Sequence, residues 1–238
     1  MSSLSVFFPC YNDAKTIGTL VKHAMVVLPK LVDTYEVIVV NDGSTDDSAR
    51  VLERLTKRYN RLRVITHTKN QGYGGALRIG FAHARYDLVF YTDGDGQYDV
   101  RELPLLYSLM TDDVDFINGI KAARRDATYR IIIGNLYSMC ARWFFWLPVL
   151  DIDCDFRLIR KKILKKITLT STGGAICVEL VKKAQRAGAR FRQVTITHLP
   201  RAHGASQFFR ADRILQTLQE LLSLWFTLMV FPKKYGYR

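Results

Sequence analysis

The stretch that decides the fold is residues 88–97, which read Leu-Val-Phe-Tyr-Thr-Asp-Gly-Asp-Gly-Gln. Its first five residues favour a β-strand, and this strand would carry Asp93 and Asp95 at its carboxyl end. In open α/β sheets, ligands bind at that end. Two carboxylates one residue apart repel each other unless a cation or a proton lies between them. Their oxygens suit Mg²⁺ or Mn²⁺, and Mg²⁺ usually takes one or two carboxylates plus substrate phosphates.

Two other interpretations of the same stretch have to be weighed. Asp-Gly pairs are strong turn formers, so the residues could form a plain turn. Asp93, Asp95 and Gln97 also occupy positions 1, 3 and 5 of a calcium-binding EF-hand loop. The EF-hand pattern fails because position 6 is Tyr98 rather than Gly and position 12 is Pro104 rather than Glu. Spacing alone leaves the turn and the metal site both open.

Three earlier segments have the same form, an apolar run that ends in polar residues, and they are residues 4–9, 36–40 and 62–66. The near-continuous apolar character of the second fits a parallel strand buried on both faces. Helices are predicted from Ala14 onward, with Asn12 or Asp13 as the cap, and over residues 72–84. Strands that alternate with helices through short connections predict the α/β class and a doubly wound, mainly parallel sheet.

Polar residues follow most of these strands, and the carboxyl ends of parallel strands meet at one edge of a sheet. The residues expected to gather there are Asn12, Asp13, Asp42, Asp93 and Asp95. A crevice that binds a nucleotide is the natural use of such an edge. The glycines of 72–75 lack the spacing and placement of a dinucleotide fingerprint, and a turn into a tightly packed helix is favoured for them.

The charge of the chain predicts an anionic partner. Its 238 residues carry a formal net charge of +13, which fits nucleic acid, an acidic membrane surface or phosphorylated substrates. Nucleic acid is disfavoured because the basic residues are dispersed and no RNP-like or helix-turn-helix pattern accompanies them. Four cysteines without C-x-x-C spacing suggest neither zinc nor disulfides, and the N-terminus has no secretory signal pattern. A reducing cytosol is the expected compartment.

Four ordered motifs make the chain resemble glycosyltransferase family 2, whose members have the GT-A fold. They are Pro9-x-Tyr11-Asn12-Asp13, Asn41-Asp42-Gly43-Ser44, Asn70-x-Gly72 and Asp93-Gly94-Asp95. The resemblance extends over residues 4–210 and implies a Rossmann-like, mainly parallel sheet flanked by helices. It predicts a GT-A domain over residues 1–207, with a nucleotide-binding half over 1–98 and an acceptor half over 99–207. A C-terminal amphipathic, membrane-interfacial helix is predicted within 208–238.

Two later segments resemble the polyprenol-phosphate hexosyltransferases of the dolichol-phosphate mannose synthase type. Residues 151–157 read Asp-Ile-Asp-Cys-Asp-Phe-Arg, and residues 200–208 read Pro-Arg-Ala-His-Gly-Ala-Ser-Gln-Phe. The chain departs from the family pattern where Asp13 stands for Glu, Asp155 for Gly and Gln207 for Lys, and residues 118–121 replace Gly-Ser-Arg. These departures affect the donor base, the sugar and the acceptor contacts rather than the class.

The resemblance implies an inverting enzyme that moves a hexose from UDP or GDP to a polyprenyl (dolichyl or undecaprenyl) phosphate with Mg²⁺ or Mn²⁺. Asp95 would contact the metal, Asp93 would bridge the metal and the donor, and Gln97 would add a further ligand. The implied nucleotide-sugar pocket consists of Pro9, Tyr11, Asn12, Asp13, Asp42, Gly72 and Asp93. Asp42 would hydrogen-bond the base, whereas the residues alone also allow a turn residue or helix cap there.

The acceptor decides which further residues are needed. A lipid phosphate is already ionised near neutral pH, so it needs cations rather than a base. The predicted acceptor-phosphate ligands are Arg130, Arg157, Arg201 and Ser206. The predicted catalytic residues are Asp93, Asp95, Asp155 and Arg157. If the acceptor were instead a saccharide hydroxyl in polysaccharide assembly, Asp155 or Asp153 would be the base. A non-catalytic sugar-nucleotide-binding module is disfavoured because Asp93 and Asp95 are both retained.

Two apolar stretches raise the question of a membrane. Arg142 falls near the middle of residues 131–150, which is costly in a spanning helix, and residues 221–231 are too few to cross a bilayer. The lysine pairs at 161–162, 165–166 and 182–183 would supply charge for an anionic leaflet. We therefore expect a cytoplasmic protein attached peripherally to the cytosolic face of a membrane, with two core helices as the alternative.

Overall fold

The computed structural model describes residues 3–122, 128–201 and 211–231, and the side chains of 128–133, 135 and 211 lie outside that description. Within these residues, seven strands form one sheet in the order β3-β2-β1-β4-β6-β5-β7. The strands are β1 (Leu4–Cys10), β2 (Tyr35–Asn41), β3 (Leu62–Thr66), β4 (Leu88–Thr92), β5 (Phe116–Lys121), β6 (Phe156–Arg160) and β7 (Phe191–Ile196). Only β6 runs antiparallel to its neighbours in this part of the chain. The mainly parallel α/β sheet predicted from the sequence is confirmed.

Helices cover both faces of the sheet. They are α1 (Ile17–Leu31), α2 (Ser48–Arg58), α3 (Gly72–His83), α4 (Leu103–Ser108), α5 (Thr128–Phe145), α6 (Lys161–Leu164), α7 (Ile176–Arg186) and α8 (Ala211–Trp225). A 3₁₀ turn (Val100–Glu102) precedes α4, and a π-helical segment (Phe226–Val230) continues α8. The bounds of β3 and β4 agree with those predicted, because each apolar run is closed by polar residues.

The start of α1 corrects the sequence analysis. The helix begins at Ile17 rather than Ala14, and the predicted side-chain cap by Asn12 or Asp13 is wrong. The main-chain carbonyl of Asp13 accepts from Thr16 N and Ile17 N, both at 3.0 Å, while its carboxylate accepts from Tyr11 N at 3.1 Å. The carboxylate therefore belongs to the loop after β1 rather than to the helix.

The sheet separates two apolar cores. In β1, the buried side chains of Leu4, Val6 and Phe8 join the core on the α1 side, and Phe7 joins the core on the α3 side. This alternation follows from the two-residue period of a strand. Because both faces are covered, the central strands β1 and β4 are buried along their whole length, and a ligand can reach them only at their ends.

The C-terminal helix α8 packs on this domain through one face. Thr217, Leu224 and, in the π-helical segment, Leu228 are buried. The carboxylate of Glu220 accepts from Thr172 N at 3.2 Å and Gly173 N at 3.0 Å, which ties α8 to the segment before α7. Among the residues described, no helix has both the length and the apolar character needed to cross a membrane.

Candidate active site

The loops after β1 and β2 are tied together at the carboxyl edge of the sheet. Asn12 has a positive φ of 59°, and its side-chain oxygen accepts from Thr45 N at 2.8 Å. Its main-chain N–H donates to Ser44 Oγ at 3.0 Å, and Asp13 N donates to Ser48 Oγ at 3.1 Å. Asn12 therefore holds the two loops together, which fixes one wall of the predicted nucleotide pocket.

The loop after β4 approaches β1 closely at Gly94. A Cβ at this position would lie 2.4 Å from the carbonyl oxygen of Pro9 and 3.1 Å from Asp13 Oδ2, so only glycine fits. The Gly94 carbonyl accepts from Thr16 Oγ1 at 2.7 Å. Burial, reinforced by the negative charge of Asp95, raises the pKa of Asp13 to about 6. The close approach brings the β1 and β4 carboxylates into one electrostatic site.

Asp42, at the end of β2, is almost completely buried and is held in one orientation. Its Oδ1 accepts from Gln71 N at 2.9 Å and lies 2.6 Å from Nδ1 of His67, which is also buried. The other ring nitrogen of His67, Nε2, has no hydrogen-bond partner among the residues that the structure describes. An oriented carboxylate beside an imidazole can recognise the edge of a nucleotide base.

Asp93 lies at the end of β4 and accepts a hydrogen bond from the hydroxyl of Tyr73 at 2.6 Å. Burial, with repulsion from Asp155 and Asp95, raises the pKa of Asp93 well above its usual range. Burial likewise raises the pKa of Tyr73, so this hydroxyl keeps its proton and donates. A cation would relieve the electrostatic cost of this cluster of carboxylates.

Asp95 is buried and paired with Arg201, which donates from Nη2 to Asp95 Oδ2. The Nε of Arg201 also donates to the side-chain oxygen of Gln97 at 3.3 Å, and Gln97 N donates to Asp95 Oδ1 at 2.9 Å. Burial raises the pKa of Asp95, and the charge of Arg201 opposes that increase. The oxygens of Asp95 and Gln97 thus face one common cation position.

The residues present fit a divalent cation. Within the part of the chain that the structure describes, no group of three or more His, Cys, Asp and Glu side chains is arranged to hold a metal. Two carboxylates and one amide oxygen, from Asp93, Asp95 and Gln97, are nevertheless what Mg²⁺ commonly takes from a protein when substrate phosphates complete its shell. The guanidinium of Arg201 lies between the oxygens of Asp95 and Gln97, where such a cation would bind.

A second Asp–Arg pair lies beneath this site. The guanidinium of Arg157 is 0% exposed and donates to Asn118 Oδ1 at 2.8 Å, to the Tyr91 hydroxyl at 2.7 Å and to the Ile152 carbonyl at 2.5 Å. Its Nη1 lies 3.3 Å from Oδ1 of Asp155. All three nitrogens of the guanidinium are therefore used within the protein.

This network corrects one role given to Arg157. The sequence analysis assigned Arg157 to the acceptor phosphate, but its guanidinium has no surface that a phosphate could reach in this arrangement. Asp155 is also buried, and it accepts from the Tyr91 hydroxyl at 3.0 Å and from the Cys177 thiol at 3.3 Å. We therefore describe Asp155 and Arg157 as positioning residues that support the floor of the site.

The remaining predicted residues have different outcomes. Gly72 has a φ of +83°, and a Cβ there would lie 2.5 Å from the Thr172 carbonyl, so its visible role is close packing. Tyr11 is partly exposed at the rim of the site. Ser206 and the side chain of Arg130 lie outside the described residues, and their roles stay predictions.

Sequence reasoning missed several residues that shape the site. Tyr73, in a glycine-rich segment, donates a hydrogen bond to Asp93. Tyr91, in an apolar strand, donates one to Asp155. Nothing in the sequence indicates that either hydroxyl group has this role. His67 could have been found, because it directly follows β3 just as the other polar residues follow their strands.

Comparisons with known proteins agree with this geometry. The family model described as glycosyl transferase family 2 matches residues 5–168. An undecaprenyl-phosphate 4-deoxy-4-formamido-L-arabinose transferase of Pseudomonas aeruginosa is 26% identical over 221 residues, covering 92% of this chain and 64% of its own length. A dodecaprenyl-phosphate galacturonate synthase of Rhizobium johnstonii is 26% identical over 229 residues, covering 94% of this chain and 66% of its own. The chain thus spans just under two thirds of these relatives.

Solved structures show the same fold. Glucosyl-3-phosphoglycerate synthase of Mycobacterium tuberculosis, in complex with Mn²⁺, UDP and phosphoglyceric acid, superimposes with a TM-score of 0.70 and 19% identity, covering 95% of this chain and 78% of that one. The same enzyme in complex with Mn²⁺ and UDP-glucose gives a TM-score of 0.69 and 20% identity, with the same coverage.

Proposed function

The chain belongs to glycosyltransferase family 2, and we propose that it transfers a sugar from a nucleotide-sugar donor to a polyprenyl phosphate with the help of a divalent cation. The observation that carries this proposal is the convergence of Asp42, Asp93 and Asp95 on one edge of the sheet, at the ends of β2 and β4. The relatives named for undecaprenyl and dodecaprenyl phosphates support the acceptor class. UDP-glucose and Mn²⁺ in a structural neighbour support the donor class and the cation.

Different residues bind the nucleotide base and the cation. Asp42 and His67 hold the nucleotide base, while Asp95, Gln97 and Asp93 would hold the cation. When bound, the cation acts as a Lewis acid that neutralises the departing nucleoside diphosphate. The acceptor's phosphate oxygen attacks the anomeric carbon as the bond to the diphosphate breaks, which inverts that centre. No proton has to be removed, because the attacking oxygen is already ionised.

The surroundings of Asp155 favour the phosphate acceptor over a saccharide hydroxyl. A hydroxyl acceptor needs a general base within hydrogen-bond reach of its proton. Of the two predicted bases, Asp155 is buried and already binds Tyr91, Cys177 and Arg157, and Asp153 lies 3.6 Å from the ammonium group of Lys121. A base that is engaged in this way is poorly placed to accept a proton from a substrate.

An apolar outer surface supports attachment to a membrane. Half or more of the surface of several large apolar side chains is exposed on and just after α5 and on α8, namely Leu136, Met139, Trp143, Phe144, Trp146, Leu150, Leu215, Leu218 and Leu222. Aromatic and apolar side chains of this kind bury themselves at the boundary between headgroups and acyl chains. We infer that this outer surface lies on the cytosolic leaflet that presents the lipid acceptor.

Fewer lysines than predicted can supply positive charge to an anionic leaflet. Lys182 and Lys183 are buried, and Lys183 pairs with Glu179 at 2.6 Å, so this pair cannot supply charge to a leaflet. Lys165 and Lys166 are exposed as expected.

Vesicle binding tests the membrane inference. The Trp143→Ser/Leu218→Ser double variant should lose most of its cosedimentation with anionic vesicles, because it removes two exposed anchors. The Val26→Ser variant, which changes an exposed apolar residue on α1, is the control and should bind like wild type. Equal binding by the double variant and wild type would contradict the inference.

A transfer assay tests the reaction. Purified protein is incubated with Mn²⁺, a labelled UDP- or GDP-sugar and a polyprenyl phosphate in detergent. Label should move into the organic phase only when lipid phosphate is present. Donor hydrolysis without a lipid product would contradict the acceptor assignment, and an absence of turnover with every common donor would contradict the proposed function.

A further inference from the structure

Arg201 lies among the oxygens that are proposed to hold the divalent cation. One end of its guanidinium binds Asp95 Oδ2, and its Nε donates to Gln97 Oε1 at 3.3 Å. The Gln97 amide is held in this orientation, because its Nε2 donates to the Leu199 carbonyl at 3.2 Å. A metal ion held by these same two oxygens would lie where the guanidinium lies, and the two cations would repel each other.

The negative charge of the surrounding carboxylates explains the position of Arg201. Asp95 repels both Asp13 and Asp93, and the positive charge of Arg201 offsets the negative charge of all three. A divalent cation would neutralise the same carboxylates more completely. The guanidinium and the metal ion are therefore alternative solutions to one electrostatic problem.

We propose that Arg201 and the divalent cation compete for Asp95 and Gln97, and that binding of the metal with its donor releases Arg201 to bind the acceptor's phosphate. The identity of the second anion rests on the proposed sugar transfer, whereas the competition rests only on the proposed cation site. Side-chain exposure agrees with an exchangeable contact, since Arg201 retains 23% exposure whereas Asp95 retains 9%.

This exchange sets an order of binding. Before the metal binds, an incoming phosphate meets a carboxylate cluster whose cation is already engaged. After the metal binds, the guanidinium is free to donate two parallel hydrogen bonds to a phosphate, which is the geometry that arginine supplies best. The donor and its metal should therefore bind before the acceptor.

Mn²⁺ titration followed by the electron paramagnetic resonance signal of the free ion tests the competition without any turnover. The Arg201→Gln variant should bind Mn²⁺ about tenfold more tightly than wild type, because the competing cation is gone. Arg201→Lys, which keeps the charge but lacks the planar guanidinium, should have a Mn²⁺ affinity between those of wild type and Arg201→Gln. Arg192→Gln removes an exposed charge on β7 and should match wild type, which controls for net charge.

A second titration follows the released arginine. Farnesyl phosphate, a short polyprenyl phosphate, should bind wild type more tightly when Mg²⁺ and UDP are present, and this gain should be absent in Arg201→Gln. Mn²⁺ affinity that is unchanged or weaker in Arg201→Gln would overturn the competition. Tighter Mn²⁺ binding by Arg201→Gln in a protein that transfers no sugar to lipid would uphold the competition and count only against the proposed function.

Discussion

The two Asp–Arg pairs of the site differ in what surrounds them. The rim pair, Asp95–Arg201, lies at the end of β4 and keeps part of its guanidinium exposed. The buried pair, Asp155–Arg157, has a guanidinium with no exposure and protein acceptors for all three nitrogens. The same two residue types therefore serve different purposes, and the difference lies in solvent access and in the number of other partners.

The comparison shows how to separate a ligand-binding arginine from a structural one. A charge that is buried with all its hydrogen bonds satisfied costs several kcal/mol to disturb, so it keeps its partners. A charge at a rim, held by two oxygens that a metal also prefers, can be exchanged at little cost. The site thus combines a fixed floor with an exchangeable cation above it.

The largest effect is expected from breaking the buried pair. Arg157→Ala should lower the free energy of unfolding by about 3–5 kcal/mol, because it leaves a buried carboxylate without its cation. Urea unfolding measures the change, with Arg192→Ala as an exposed control that should change little. A loss no larger than that of the control would mean that the Asp155–Arg157 network is not structural.

Neutralising the rim pair should affect catalysis rather than folding. Asp95→Asn should lower the rate of sugar transfer at least about a hundredfold, because a metal ligand is lost, while the urea midpoint changes little. Asp99→Asn, which removes a partly buried carboxylate paired with the exposed Arg101, is the matched control and should keep its rate. Equal rates for the two variants would contradict the metal-binding role of Asp95.

The carboxylate cluster should make stability depend on pH. Burial raises the pKa of Asp13 from 3.8 to about 6, so the folded state holds this proton more tightly than the unfolded state. Stability from this group is therefore present below about pH 4 and is lost as the pH rises through about 6. Between pH 4.5 and pH 7, the Asp13→Asn variant should lose about 1–2 kcal/mol less stability than wild type. Parallel stability curves for the two proteins would contradict this electrostatic account.

The smallest effect is expected at the Asp42–His67 pair, in which the partner of the aspartate is a histidine rather than an arginine. His67→Ala should weaken UDP binding about fivefold by releasing Asp42, while the affinity for inorganic pyrophosphate stays unchanged. His67→Asn should restore much of the UDP affinity, because its amide can donate to Asp42 as Nδ1 does. Calorimetry separates the two ligands, and an equal loss for both would indicate a general structural defect.

The sequence was informative where the chemistry is local. The strand ends at Asp42, Asp93 and Asp95 follow apolar runs directly, so both the fold and this edge of the site were predictable. The partners of these residues come from distant positions, as Tyr73 does for Asp93, and no spacing rule identifies them. Motif position likewise could not reveal that Arg157 is buried, because burial depends on packing between β4, β6 and the loop before β6.

A crystal structure of the protein with Mn²⁺ and UDP tests the central claim most directly. We expect the ion between Asp95 and Gln97, the guanidinium of Arg201 displaced from both, and Arg157 still bonded to Tyr91 and Asn118. A structure in which Mn²⁺ and UDP are bound while Arg201 keeps its contact with Asp95 would contradict the claim that the rim pair is exchangeable.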